Sequence, residues 1–542
     1  MSKFHILKRS TNQAVGLAEY AKKFLISNSS IDPKVYERVK LFHTDSVVCG
    51  ISALALKTNA PTLLRKEALD YYNLKNQNLG SGLRNFRSKV FGSSDWVAAE
   101  KAIVANCSAV REWDSNGTVF GYNKEIKGHQ AGEFGHNDFY PVVIAAAHTE
   151  NKVTGKDVLR GMILLDEIRG RLAEVFSLKT YKIDHVVHGA IASAITYGAM
   201  LGASIEEIES AVGMVVAHYI PWRAIRAGKQ LSDSKGASAA ISTEVAISSV
   251  RRAMAGFIGP KDIFRNPESI FRYFEKTDGD SPFDIALSEE GSKFAVMDMH
   301  FKLGLYEHQS AGALEGVIKL IQENSELIDG GSLKNIKDII ITAYEPAFGI
   351  IGDPAKRDPK TRQSADHSMV FIVSRLLKKA MDNSAKVKSI INDRDSLWKE
   401  LILTPLDYSY EALKCNDTKE LMSKIKFLHG GKEYDDKYPE GIPTKVDINL
   451  ANGKNISSGL VMFPSGHSRN TTCNLIDILN NKNKTLLNYA VSNSSESEKL
   501  LHSLNNIENM NNRDLEEVYN CSIVLSNVSI DENGFDTSKF SK

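Results

Sequence analysis

Sulfur chemistry has little to work with in this chain. Its five cysteines, Cys49, Cys107, Cys415, Cys473 and Cys521, lie at least 48 positions apart among 542 residues. An odd number at that spacing indicates neither a disulfide framework nor a zinc ribbon, and a reducing compartment fits. No C-x-x-C gathers thiolates as iron–sulfur ligation ordinarily requires. Paired metal-binding histidines are also missing. The 14 histidines include no His-x-x-x-His and no His-x-His, so a zinc hydratase would rest only on the number of imidazoles. Charge of one sign is lacking too: Lys plus Arg total 67 against 66 acidic residues. No global field then draws nucleic acid or an anionic membrane, and any anion must be held locally. The most apolar stretch, residues 185–203, is interrupted by His188, Ser193, Thr196 and Tyr197 and reads as a buried helix, not a membrane span. Residues 1–25 carry Lys3, Lys8 and Arg9 but no apolar core of a secretory signal. No repeat of solenoid period is present, which weighs against a non-catalytic helical scaffold that binds partners through its surface.

What is present is the composition of a soluble globular protein, 42% hydrophobic and 25% charged, long enough for two or more domains. Helical signals dominate the first half. Val158, Met162, Leu165, Ile168, Leu172 and Val175 recur at three- and four-residue intervals after a Thr154–Asp157 start signal, which predicts a helix over 157–176. Residues 187–201, rich in Gly, Ala and Ser, predict a helix that packs closely on others, and Ser204 with Glu207 forms a capping box for the next. After about residue 295 strand signals enter. Residues 336–344 and 445–450 read as strands, the latter joined through Ala451-Asn-Gly-Lys454 to an apolar stretch at 459–463 as a hairpin. Residues 368–379 between them have helical spacing. The Asn-rich pieces 480–483 and 505–512 read as loops between short tail helices, without a catalytic role.

Ionisable and Gly residues concentrate in residues 111–118 and 135–141, between apolar stretches, as a site loop would. These residues, with Asp45-Ser-Val-Val-Cys-Gly50, Ala109-Val-Arg-Glu-Trp-Asp114, Ala131-Gly-Glu-Phe-Gly-His-Asn-Asp-Phe-Tyr-Pro141, Thr361-Arg-Gln-Ser-Ala-Asp-His-Ser368 and Pro464-Ser-Gly-His-Ser-Arg-Asn470, resemble the MmgE/PrpD family. The forms of the two early loops are most similar to the eukaryotic-type members that dehydrate 2-methylcitrate.

The resemblance implies a mainly α fold with an α+β lid. A large helical domain is formed by residues 1–295 and 464–542, a smaller α+β domain by 296–463. It further implies dehydration of 2-methylcitrate to 2-methyl-cis-aconitate in propionate catabolism, without metal or cofactor, by a homodimer in the cytoplasm or mitochondrial matrix. Such relatives work in mitochondria, but the match begins within the first tens of residues and leaves little room for a presequence. The nearest alternative on the same scaffold is decarboxylation of cis-aconitate. By resemblance, Asp114, Thr118 and His136 belong to the first active-site loop, His185 is a second histidine, and Lys302 is a lid lysine facing substrate. A further substrate lysine is Lys229 or Lys235, and Arg362 and His367 lie in the matched lid motif.

Those residue types suit the reaction. Eliminating water from a citrate-like molecule removes a C–H proton beside a carboxylate and protonates a departing hydroxyl, so an acid and a base must flank the substrate, each worth roughly 10²–10⁴ in rate. His136 and His185 are the candidates, in either order, because imidazole titrates near neutrality. Asp114 is either the base itself or, the expected role, a group that orients an imidazole. Three substrate carboxylates call for fixed cations. His188 is expected to pack rather than react, and His129, His148 and His218 receive no role.

Overall fold

The computed structural model describes residues 4–71, 85–150, 152–227, 230–329, 332–526 and 530. It is mainly α, with a smaller α+β part. The elements that build the site are α1 (Pro33–Ala55), α2 (Ala99–Arg111), β1 (Thr118–Phe120), β2 (Phe134–His136), α3 (Tyr140–Thr149), α4 (Gly155–Val175), α5 (Val186–Met200), α6 (Ile205–His218) and α7 (Asp233–Met254). They are followed by β3 (Ile336–Ala343), α8 (Met369–Asp382), β4 (Ile425–His429), β5 (Thr444–Leu450), β6 (Asn455–Ser457) and α9 (Leu475–Leu487).

Helix α4 starts where its sequence predicts. The Thr154 hydroxyl accepts from Asp157 N at 3.4 Å and the Asp157 carboxylate accepts from Thr154 N at 2.8 Å, which satisfies two of the free amides of the first turn. Its apolar stripe is buried, and so is much of the opposite face. Asp166 with Arg169 (2.7 Å) and Glu167 with Arg171 (2.8 Å) pair inside the protein, because α4 runs through the body with neighbours on all sides. Helix α5 is buried along almost its whole length. At Gly189 a Cβ would fall 2.0 Å from the Phe139 ring, so the glycine is what lets the chain after β2 lie against α5.

The four-stranded sheet has the order β6-β5-β3-β4, with β3 and β4 parallel and the other pairs antiparallel. Inward residues alternate along β5 as a half-buried strand requires. Two expectations change here. The hairpin partner of β5 is Asn455–Ser457; residues 459–463 join it only through the bridge Thr444–Val461. Gly459, at φ +65°, turns the chain out of the ladder before the apolar stretch begins. Residues 480–483 are not a loop but the middle of α9. Ile478, Leu479, Lys482, Asn483, Leu486 and Leu487 form one buried stripe, and that burial outweighs the weak helix preference of asparagine. Residues 505–512 do consist of helix ends and a short turn. Helix α9 packs on α1, which joins the end of the chain to its beginning. Among the described residues no single helix is long and apolar enough to cross a membrane.

Candidate functional site

Helix α2 ends at Arg111, and the chain turns through Asp114, whose backbone is left-handed at φ +50°. A non-glycine residue there costs about 1–2 kcal/mol, tolerated best by Asp and Asn. The turn aims the Asp114 carboxylate into the protein, and the chain then enters β1. Thr118 stands opposite His136 in the β1–β2 pair. On the other edge Thr118 exchanges two backbone hydrogen bonds with His300, at 2.8 and 2.9 Å. That bridge delivers Lys302, two residues on, to the same place.

Asp114 is completely buried and surrounded by cations. Arg111 approaches it at 2.8 Å, Lys235 at 3.6 Å, and the Lys302 ammonium is in direct contact. His367 Nδ1 lies 3.1 Å from its second oxygen. Asp366 braces the same groups, receiving Lys235 Nζ at 2.8 Å and His367 Nδ1 at 2.7 Å. Lys302 Nζ also stands 3.3 Å from His136 Nδ1. The His136 and His185 rings meet edge to face with centroids 5.3 Å apart. His185 Nε2, 3.8 Å from Asp184, has no hydrogen-bond partner among the described residues. The Asp184 carboxylate is held instead by Arg226, and its amide donates to Pro221 O at 2.8 Å, which straps the His185 turn beneath the 219–227 segment.

Thus Asp114, His136, His185, Lys235, Lys302 and His367 converge. Thr118 lies beside them, its hydroxyl donating to Gly135 O at 2.9 Å. Arg362 is one layer out: it contacts the Glu112 carboxylate, donates to Glu112 O at 3.1 Å and stacks over Trp113 at 5.0 Å, holding the Asp114 loop. Lys229 lies outside the described residues. Asp114 was expected to orient an imidazole; the imidazole it touches is His367, and it reaches His136 only through Lys302. His188 donates from Nε2 to Phe176 O at 2.9 Å, a packing role. His129 pairs with Glu174 and His148 with Ser88 and Leu515 O.

Residues 15–281 match the MmgE/PrpD N-terminal domain. Over those residues the chain belongs to the MmgE/PrpD family. It is 25% identical over 320 residues to a probable 2-methylcitrate dehydratase of Saccharomyces cerevisiae, covering 58% of this chain and 56% of the relative. A mitochondrial 2-methylcitrate dehydratase of Yarrowia lipolytica is 25% identical over 329 residues, 60% of this chain and 58% of the relative. An alkylcitrate dehydratase of a fungal species is 23% identical over 464 residues, 84% of each chain. The chain therefore spans less than two thirds of the length of the first two. Lys302, Arg362, Asp366 and His367 lie beyond the family match at residue 281 and are tied to it by the geometry above.

Burial sets the protonation states in this MmgE/PrpD site. It would raise Asp114, but Arg111, Lys302, His367 and Lys235 together overcome it and hold the carboxyl well below its usual range. Burial drives His136 and His185 well below an ordinary imidazole; Arg111 and Lys302 add to the effect on His136, whereas Asp184 partly offsets it at His185. Both rings are neutral at neutral pH. Burial also lowers Lys302, against the pull of Asp114, and brings His367 down to about 3.

Sequence reasoning passed over three groups here. Asp366 lies within the matched Ser-Ala-Asp-His stretch and Arg111 within Arg-Glu-Trp-Asp, so the motif was the available signal for both. Glu307 follows Lys302 without any pattern; its amide donates to Asp366 O at 2.9 Å, and burial, aided by Asp114, pushes its carboxyl up to about 7. Asp114, Asp366 and His367 also bring ligand atoms within 4.8 Å of one another, a spacing that suits a cation. Arg111, Lys235 and Lys302 already compensate those carboxylates, so a divalent ion there would meet three positive charges.

Proposed function

We propose that this protein is a carbon–oxygen lyase that removes water from a hydroxylated tricarboxylate, with 2-methylcitrate, giving 2-methyl-cis-aconitate, as the leading substrate. The observation that carries this reading is the pair of buried, neutral imidazoles 5.3 Å apart, one of them against a lysine. In this reading Lys302 donates to His136 Nδ1, so the His136 proton sits on Nε2 and is available to the leaving hydroxyl. His185, with an unengaged Nε2, takes the C–H proton. As the bond to oxygen breaks, His136 gives its Nε2 proton to the departing hydroxide and recovers one at Nδ1 from Lys302, which burial disposes to release it. The products are water, the olefin, a protonated His185 and a neutral Lys302; a proton passed back through solvent closes the cycle.

Around Asp114 and Asp366 stand three cations, Arg111, Lys235 and Lys302, a surplus of one positive charge for the substrate carboxylates. Arg362 acts by holding the Asp114 loop. The reading includes a helical body, residues 1–295 and 464–542, closed by the 296–463 part, which supplies Lys302 and His367. It also includes a homodimer in the cytoplasm or mitochondrial matrix. One relative described as mitochondrial supports the second compartment.

Purified protein incubated separately with 2-methylcitrate, citrate, longer 2-alkylcitrates and cis-aconitate is expected to generate olefin absorbance from the first. The alkyl series tests substrate length, which the fungal relative makes worth measuring. Carbon dioxide release from cis-aconitate without olefin formation from any hydroxy acid would assign decarboxylation instead. Prolonged EDTA treatment is expected to leave turnover unchanged.

A further inference from the structure

Lys482 has no exposed side-chain surface and sits mid-way along α9, in the Asn-rich piece that its composition marks as a loop. Its ammonium ends 2.7 Å from the Asp45 carboxylate on α1. The same nitrogen donates to Ser115 O at 2.6 Å and to Lys302 O at 2.9 Å. Two hydrogen bonds to main chain and one ion pair thus tie Lys482 to three separate segments. One acceptor adjoins Asp114 and one belongs to Lys302, the two groups whose contact forms the centre of the site. A third hydrogen bond runs alongside, from the Ser115 hydroxyl to Gly304 O at 2.9 Å, and fastens the same two segments.

We infer that Lys482 is a positioning residue for the reaction: it clamps the backbone on either side of the Asp114–Lys302 contact and so fixes where the Lys302 ammonium stands relative to His136. The inference rests on the elimination proposed above, but the clamp itself is a property of the fold. A buried ammonium directed only at a carboxylate would be an ordinary structural ion pair. This one spends two of its three donors on main-chain carbonyls, and main chain at those positions determines the direction of both site side chains. Displacement by about 1 Å is enough to lower turnover on the order of a hundredfold when a proton must pass along a hydrogen-bonded line. Through Lys482 the C-terminal part of the chain thereby bears on the chemistry by way of main chain.

Lys482→Met alone would leave Asp45 buried without its partner and would confuse misfolding with loss of the clamp. The decisive variant therefore pairs Lys482→Met with Asp45→Asn, and Lys482→Arg serves as the conservative comparison. In the paired variant kcat on 2-methylcitrate is expected to fall at least twentyfold with KM within threefold. Hydrogen exchange in peptides covering 111–118 and 300–305 is expected to accelerate at least tenfold, while peptides from 186–200 exchange as in the wild type. Lys482→Arg is expected to recover most of the protection in both segments and part of kcat. Unchanged exchange at both segments, or unchanged kcat with faster exchange, would overturn the positioning role. If the wild-type protein dehydrates none of the hydroxy acids, the reaction assignment falls, and the exchange measurement decides the clamp by itself.

Discussion

The two imidazoles differ in what holds them, and that difference has measurable consequences. His136 lies on a strand with a lysine at Nδ1; His185 opens a helix with its neighbour Asp184 committed to Arg226. On the proposed mechanism, removing either ring takes away one proton transfer while leaving the ion pairs around Asp114 in place. His136→Ala and His185→Ala are each expected to lower kcat/KM at least a hundredfold, with Tm within a few degrees, by steady-state kinetics and calorimetry. Full activity in both would remove these histidines from the mechanism. Burial lowers both rings, so the base stays unprotonated well into the acid range. The acid limb of the kcat/KM profile is accordingly expected below about 6.5, the ordinary imidazole value. At this scale the convergence of His136, His185, Asp114 and Lys302 in the candidate site was readable because each lies in a recognisable stretch. The pairings were not readable. Asp366 braces Lys235 from 131 positions away, and no local pattern announces which carboxylate will meet which ammonium.

Elements were legible wherever burial and local preference agree. Helix α4 begins at its capping box, and α5 falls within one residue of the range its small residues predict. They were illegible where the two conflict. In α9 four polar positions in succession suggest a loop, yet the buried stripe around them decides for helix. After β5 the apolar stretch suggests a strand, yet a left-handed glycine has already ended the pairing. The close approach at Gly189 is also a point of weakness. Gly189→Val would press a branched side chain into the Phe139 ring, three residues after His136. Displacement of that ring is expected to destabilise the protein by about 1–3 kcal/mol and to reduce activity together with Tm, as thermal unfolding and turnover on one preparation will record.

For the whole molecule, the count of buried neutral imidazoles governs acid stability. Burial lowers His43, His367 and His467 to about 3, and His148 and His188 to about 4. Each takes up a proton on unfolding once the pH drops below about 6.5, so the unfolded state binds more protons and stability falls as pH falls. Glu307, raised to about 7 by burial, works in the opposite sense for one proton between about 7 and 4.5. Other buried carboxylates that burial raises, such as Asp45 and Asp166, oppose the trend at lower pH. Burial lowers His136, His185, His300 and His308 as well, so nine protons against one leave a net loss, and Tm is expected to decline steeply from pH 6.5 to 5; a flat Tm over that interval would contradict the burial of these rings.

Helical content and the place of the sheet follow from periodicity, whereas the joining of distant parts does not. The exchange of hydrogen bonds between Thr118 and His300 is such a joint, made by backbone and therefore invisible in side-chain identity. Its consequence is evolutionary as much as mechanical. A lineage that kept the first 281 residues and lost the rest would inherit both imidazoles but neither the ammonium that stands against one of them nor the edge against which β1 is registered, so a cut at that point would divide the cluster.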